Sequence, residues 1–394
     1  MDPLWLLLLL PLAVVSGWYA ARRELLNRSK GPEFNLPSAY FKGLNFLLNE
    51  QPDKAIEVFI KVLEVDSETV EMHLTLGNLF RRRGELERAT RIHQNITARP
   101  NLSNSQRLQA LFELAQDYFK AGLFDRAESL FLELADVPSH AEHALRYLSQ
   151  LYEQEKEWQN AIYATERLQK YSEKDISPIV AQYYCELADV YLEKQEYDKA
   201  KGYIDRALEV DPNSTRATIQ CGNVEFQLGE YKRAIATWSK IEEQDPRYLG
   251  EVIDNLVIAY REIKDDEGLW KFLSNALDDY GGPKLLKAQI EEIEHRKGRD
   301  EAIIFLTDWL HKHPSLHGLR SLVNLKEAEL NSSSSASDLE PLQALLVNLF
   351  DTDGLYRCRQ CGFTGRTLHW QCPGCKGWYT QAPITNEHMM RQIN

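Results

Sequence analysis

Small residues recur through this chain at intervals that one kind of architecture explains. Ala55, Ala89, Ala127, Ala161, Ala200, Ala234 and Ala302 are separated by 34, 38, 34, 39, 34 and 68 residues, the last interval being two periods. Twelve residues before the first six stand Gly43, Gly77, Ala115, Ser149, Ala188 and Gly222. Four residues after them come Phe59, His93, Phe131, Thr165, Ile204 and Trp238, with Thr165 the weak member. Pro212, Pro246 and Pro314 each fall twelve residues beyond an alanine, where a helix must stop. Self-similarity on this length scale means stacked units, none of which can bury its apolar face alone.

Each period reads as two amphipathic helices in antiparallel contact. The small residues let the backbones approach, and the larger one is expected to fill the gap to the next hairpin. The pattern resembles the tetratricopeptide repeat, which implies an all-α fold, a superhelical solenoid of helix pairs. With Gly43 and its equivalents as position 8, the units are 36–69, 70–103, 108–141, 142–175, 181–214 and 215–248. Two degenerate units follow near 249–282 and 283–316, where Gly268 replaces the alanine in the former. Cys185 and Cys221 fall inside first helices and read as packing thiols.

First helices line the inner wall of such an array, and unit positions 2, 5, 9 and 12 share the exposed side. Candidate partner-binding residues there are Asn78, Arg81, Phe112, Gln116, Phe119, Arg146, Gln150, Asn223 and Phe226; Glu153 and Arg216 are among the other positions expected on the same wall. Amides suit the backbone of an extended peptide, and aromatic rings suit its side chains.

Leu4 to Ala21 carries no charge, and as a helix it spans about 27 Å, enough with tilt to cross a bilayer. Trp5, Trp18 and Tyr19 sit where interfacial rings belong. A cleaved secretory signal would want a basic start and a small-x-small site. The start here is Met-Asp-Pro, and Trp18 and Tyr19 occupy the outer positions before Ala20 and Ala21. Arg22, Arg23, Arg28 and Lys30 place the following chain on the cytoplasmic side.

Four of six cysteines form Cys358-Arg-Gln-Cys361 and Cys372-Pro-Gly-Cys375. Two CxxC turns close together offer four thiolates at tetrahedral geometry, because each turn aims two sulfurs at one ion. A reducing cytosol disfavours disulfides, and a redox pair would not need a twin. Zinc and a single iron both fit, and spacing does not separate them. Zinc is favoured, since nothing nearby marks an electron-transfer partner. His369 reads as a bystander. Phe363, Trp370, Trp378 and Tyr379 are expected to cover the ion and dock the module on the helices.

The net charge of −13 belongs to the middle of the chain, since residues 22–30 and 355–394 are both basic. So acidic a body disfavours a nucleic-acid partner. No Walker loop, GxSxG, GxGxxG or HExxH motif occurs, so nothing assembles a catalytic constellation and no enzyme activity is expected.

In order, the chain then reads as a transmembrane helix (1–21, N-terminus outside), a basic juxtamembrane linker (22–35), about eight repeats (36–316), closing helices with a Ser-rich loop (317–354) and a metal-binding domain (355–394). With Met-Asp-Pro-Leu-Trp at its start and the two cysteine turns at its end, it resembles the lipopolysaccharide assembly protein B (LapB) family of Gram-negative bacteria. The resemblance implies that the C-terminal module is a rubredoxin-like zinc ribbon whose metal ligands are Cys358, Cys361, Cys372 and Cys375. It also implies a single-pass inner-membrane adaptor with its bulk in the cytoplasm. Such an adaptor pairs with the membrane-anchored AAA protease FtsH, promotes degradation of the LpxC deacetylase and answers to a lipopolysaccharide-sensing membrane regulator. The array could also pair with a second copy of itself. Rival readings are a rubredoxin-like electron carrier and a general peptide-binding scaffold for envelope assembly.

Overall fold

The computed structural model describes residues 18, 41–43, 45, 46, 49, 51–65, 70–330 and 356–384. The chain forms two compact units, residues 1–144 and 145–394. The first holds α1 (Pro52–Val65), α2 (Val70–Arg82), α3 (Leu86–Thr97), α4 (Asn104–Lys120) and α5 (Phe124–Ala135). Helix α6 follows at Ala141–Glu155. The second continues with α7 (Trp158–Gln169), α8 (Ser177–Glu193), α9 (Tyr197–Val210), α10 (Thr215–Gln227), α11 (Tyr231–Ser239) and the short α12 (Ile241–Gln244). A 3-10 turn at Pro246–Glu251 leads to α13 (Ile253–Glu262), α14 (Asp266–Tyr280), α15 (Pro283–Lys297), α16 (Arg299–Lys312) and α17 (Leu316–Leu330).

All seven recurring alanines are fully buried, at 0% exposure. Opposite them the small-to-large pairing closes each hairpin on itself. A Cβ on Gly43 would lie 2.7 Å from the Phe59 ring, and one on Gly77 or Gly222 would collide with His93 or Trp238. The larger residue fills the gap to the next hairpin as expected, Phe59 clustering with Leu76, Leu79 and Phe80, Ile204 with Val224 and Trp238 with Leu256, while it also covers the small residue of its own hairpin. His93 does both, since its Nδ1 also meets Asp117 Oδ2 on α4 at 2.5 Å. The weak member, Thr165, proves to be a matched one: Ser149 Oγ and Thr165 Oγ1 lie 2.8 Å apart, so a hydroxyl pair replaces the glycine and ring.

Turns within the hairpins pass through left-handed backbone at Gly84, Gly122, Lys156, Gln195, Gly229 and Lys264. Glycine suits that conformation; the lysines and the glutamine adopt it at a steric cost of about 1–2 kcal/mol each. Gly268 has a different task from the alanines it was aligned with. Its N–H donates to the Asp265 carboxylate at 2.9 Å, which caps α14.

Cys185 is completely buried, and burial pushes its thiol up to about 12; Cys221 is half-buried and reaches about 11 for the same reason. Both behave as packing residues. The expected membrane helix and basic linker lie outside the described residues apart from Trp18, as does the Ser332–Ser335 loop. Among the described residues no helix is long and apolar enough to cross a membrane.

Gly222→Ala should cost roughly 1–3 kcal/mol by overpacking against Trp238. Gly202→Ala, at an exposed α9 position where a Cβ meets nothing, should gain up to about 1 kcal/mol from helix propensity. Thermal or denaturant unfolding of the two variants reads these opposite signs.

Candidate metal centre and its seat on the helices

The C-terminal module is a three-stranded antiparallel sheet in the order β2-β1-β3, formed by β1 (Tyr356–Cys358), β2 (Thr364–Gly365) and β3 (Gln381–Pro383). The first cysteine turn leaves β1. Gly362 closes it with φ 79°, its N–H donating to the Cys358 carbonyl at 3.0 Å. The second turn lies between Gln371 and Trp378, which form a lone β-bridge, and Cys372 N–H donates to the Gly377 carbonyl at 2.9 Å.

All four sulfurs lie within 4.8 Å of one another, with Cys358–Cys375 and Cys361–Cys372 both at 3.7 Å. An ion about 2.3 Å from each sulfur of a tetrahedron gives an edge of about 3.8 Å, so the spacing fits. Burial opposes ionisation of Cys358, yet the Thr380 hydroxyl and the N–H groups of Cys361 and Gln360 bring its thiol down to about 6. At Cys361 an N–H bond from Phe363 favours the thiolate, but desolvation and the three neighbouring sulfurs carry the thiol up to about 11. Four thiolates this close repel one another, so the set suits a cation at its centre. Among the described residues it is the one convergence of three or more metal-ligating side chains. His369 stands apart, its Nε2 3.1 Å from Thr367 Oγ1.

Beyond its cysteines, the module is seated on the first helices of the second unit. Trp378 enters edge-on against Trp158 of α7 and Tyr183 of α8, with ring centroids 6.1 and 5.8 Å away. Its Nε1 donates to Glu153 Oε1 at 3.0 Å, and Gln371 Nε2 donates to Glu153 Oε2 at 3.1 Å. The Tyr183 hydroxyl donates to the same carboxylate. Burial pushes the Glu153 carboxyl up, and these three donors hold it back.

A second contact centres on Trp370. Its ring stacks on Tyr379 and lies tilted against Tyr248, with Arg216 5.8 Å from its centroid. The Tyr379 hydroxyl meets Thr215 Oγ1 at 3.0 Å and Asp245 Oδ2 at 3.2 Å. The Tyr248 hydroxyl donates to the Gln381 carbonyl, and Tyr356 donates to Glu251 at 2.6 Å. Trp370, Trp378 and Tyr379 therefore dock the module as expected. Phe363 does not; it is exposed beside the cysteine turns.

The candidate groove residues meet different fates. Arg81 donates to Glu113, Asp117 and Asn78, so Arg81 and Asn78 serve a polar network within the first unit. Gln116 borders that network through Glu113 at 3.5 Å. Phe119 is buried against Phe124. Phe112 is half-buried and packs edge-on against Phe131, His140 and His143. Arg146 and Gln150 are exposed, while Phe226 packs on Trp238 and Tyr231. The buried Asn223 Oδ1 finds no hydrogen-bond partner among the described residues. Glu153 and Arg216, both assigned to the inner wall, are in fact covered by the C-terminal module.

A cavity of about 870 Å³, which sequence reasoning missed, opens between α15, α17, the 3-10 turn and the edge of the sheet at Tyr356, Pro383 and Ile384. Many of its charged residues are already paired, as in Lys284–Glu251, Lys287–Glu291 and Arg299–Glu294. Leu285, Ile290, Leu325 and Tyr280 supply much of the remaining wall. No short-range sequence pattern marks this site, because its walls come from chain segments about 100 residues apart.

Helical hairpins carrying a four-cysteine ribbon define a tetratricopeptide-repeat protein with a rubredoxin-like metal-binding module. The family profile described as tetratricopeptide repeat matches residues 42–93 and 112–174, and that described as rubredoxin metal binding domain matches 356–382. A third, anaphase-promoting complex, cyclosome, subunit 3, matches 154–241. Lipopolysaccharide assembly protein B of Escherichia coli K12 is 36% identical over 379 residues, covering 96% of this chain and 97% of that one. Its namesake from Haemophilus influenzae is 33% identical over 391 residues, covering 97% and 98%. The chain belongs to the lipopolysaccharide assembly protein B family. Among solved structures, part of a tetratricopeptide-repeat protein from Cytophaga hutchinsonii shares 15% identity with a TM-score of 0.39, covering 67% of this chain and 98% of that one.

So small a sheet buries little core of its own, and an ion would supply much of its order. Stripping metal with a chelator, or Cys358→Ser, should open residues 356–384 to protease while α7–α16 remain resistant. Limited proteolysis with mass spectrometry checks this; a tail that stays protected without metal would contradict it.

Proposed function

We propose that this chain is an inner-membrane adaptor that restrains lipopolysaccharide synthesis by bringing the LpxC deacetylase to the membrane-anchored protease FtsH. Membership of the lipopolysaccharide assembly protein B family is the observation that carries this reading. The architecture supports its mechanical half. Tetratricopeptide hairpins present surfaces suited to protein partners, and a largely apolar cavity of about 870 Å³ offers a seat for an extended client segment. The uncharged stretch Leu4–Ala21 would hold this seat beside the bilayer. Tethering raises the effective client concentration at the protease to about the millimolar range for a short linkage, without a new contact. A lipopolysaccharide-sensing membrane partner would then tune the encounter. No turnover by the chain itself is required.

The four cysteines hold one zinc ion in this reading, as a structural cross-link. Purified protein should be colourless and contain about one zinc per chain by elemental analysis; a red, iron-containing protein would favour the electron carrier. Deletion of residues 1–21 should lengthen the half-life of LpxC at native adaptor abundance, followed by immunoblot after translation is blocked. Unchanged turnover with the soluble remainder would refute tethering.

A further inference from the structure

The two cysteine turns differ in how their backbone is supported. The first is relieved by glycine at its left-handed position, Gly362. The second has no such relief: Lys376 stands at φ 58° and Tyr379 at φ 54°, both unfavourable for residues with a Cβ. Conformations of this kind persist only where the surroundings over-determine them. Lys376 is held in part by its own turn, its N–H donating to the Cys372 carbonyl at 2.8 Å, and the residues that follow it are held by the helices. Trp378 lies between the two strained residues and is fixed by Trp158, Tyr183 and Glu153, while Tyr379 is fixed by Thr215, Asp245 and the stacked Trp370.

We infer that Glu153 and its neighbours on the helical array are positioning residues for the metal, holding the Cys372–Cys375 half of the site in its ligating shape from outside the module. This rests on the reading that the four cysteines bind an ion. Binding linkage makes the effect reciprocal: if the ion organises the module for docking, docking must tighten the ion by the same factor. Residues that orient ligands commonly change metal affinity by about 10–100-fold. The dependence is one-sided. Both turns carry the same internal hydrogen bonds, Cys358 N–H to the Phe363 carbonyl at 2.7 Å and Cys372 N–H to the Gly377 carbonyl at 2.9 Å, so what separates them is the left-handed residue, Gly362 in the first and Lys376 in the second. Cys372 and Cys375 depend on the seat.

The test uses the full chain loaded with Zn²⁺, with Glu153→Ala and Tyr183→Phe as seat variants. Neither touches a cysteine. Competition with a chromophoric chelator should show Zn²⁺ held at least about tenfold more weakly in Glu153→Ala, with a smaller loss in Tyr183→Phe. Alkylation mapped by mass spectrometry should label Cys372 and Cys375 before Cys358 and Cys361. Lys376→Gly, which removes one strained residue, should recover part of the lost affinity in the Glu153→Ala background. Circular dichroism and tryptophan fluorescence report separately that the helices are intact and that Trp378 has left its slot. Wild-type Zn²⁺ affinity with Trp378 released would overturn the inference, as would equal labelling of the two turns. A wild-type chain that fails to hold Zn²⁺ would overturn the metal reading itself.

Discussion

A carboxylate drawn largely out of water must find donors or forfeit the free energy of its hydration, and the half-buried Glu153 finds three. One comes from its own array, the Tyr183 hydroxyl; two come from the ribbon, Trp378 Nε1 and Gln371 Nε2. That shared group fixes where the ribbon sits and how it is turned. Further anchors act beside it: Trp370 stacked on Tyr379 next to Tyr248, and Tyr356 on Glu251 at the wall of the cavity. The metal module is thereby part of the core of the second unit rather than a free appendage.

The array can accept such a guest because its hairpins are closed from within. A glycine under a ring, or a serine against a threonine, brings two helices close enough that their contact face is used up. The remaining face of each first helix is left to meet something else. In the second unit that something is partly the ribbon. In the first unit Arg81, Glu113, Asp117 and His93 instead link one hairpin to the next through a hydrogen-bonded polar network. A holder of other proteins needs surfaces of this sort and a rigid frame behind them, and the packing supplies both.

The helical hairpins were legible in the sequence because their signal is local and repeated: alanines at steps near 34 residues mark positions that are all fully buried. The four cysteines were legible because CxxC is a local motif whose geometry is set by a tight turn. What could not be read was which wall residues the chain would use itself. Glu153 looked like any other polar residue on a first helix, and its partner Trp378 is 225 residues away. Arg81 looked available for a ligand, but carboxylates 32 and 36 residues further on neutralise it. Thr165 seemed a defect until Ser149 was seen opposite it. Each miss involves a pairwise choice between distant side chains, for which a single sequence carries no periodic trace.

The decisive measurement is a double-mutant cycle between Glu153→Ala and Trp378→Phe, with protection of the ribbon against proteolysis read as a free energy of undocking. A hydrogen bond to a charged group should give a coupling of about 1.5–3 kcal/mol between the two sites. Effects that simply add would mean that the ribbon is not anchored through this carboxylate, and that it rests on the helices without being part of them.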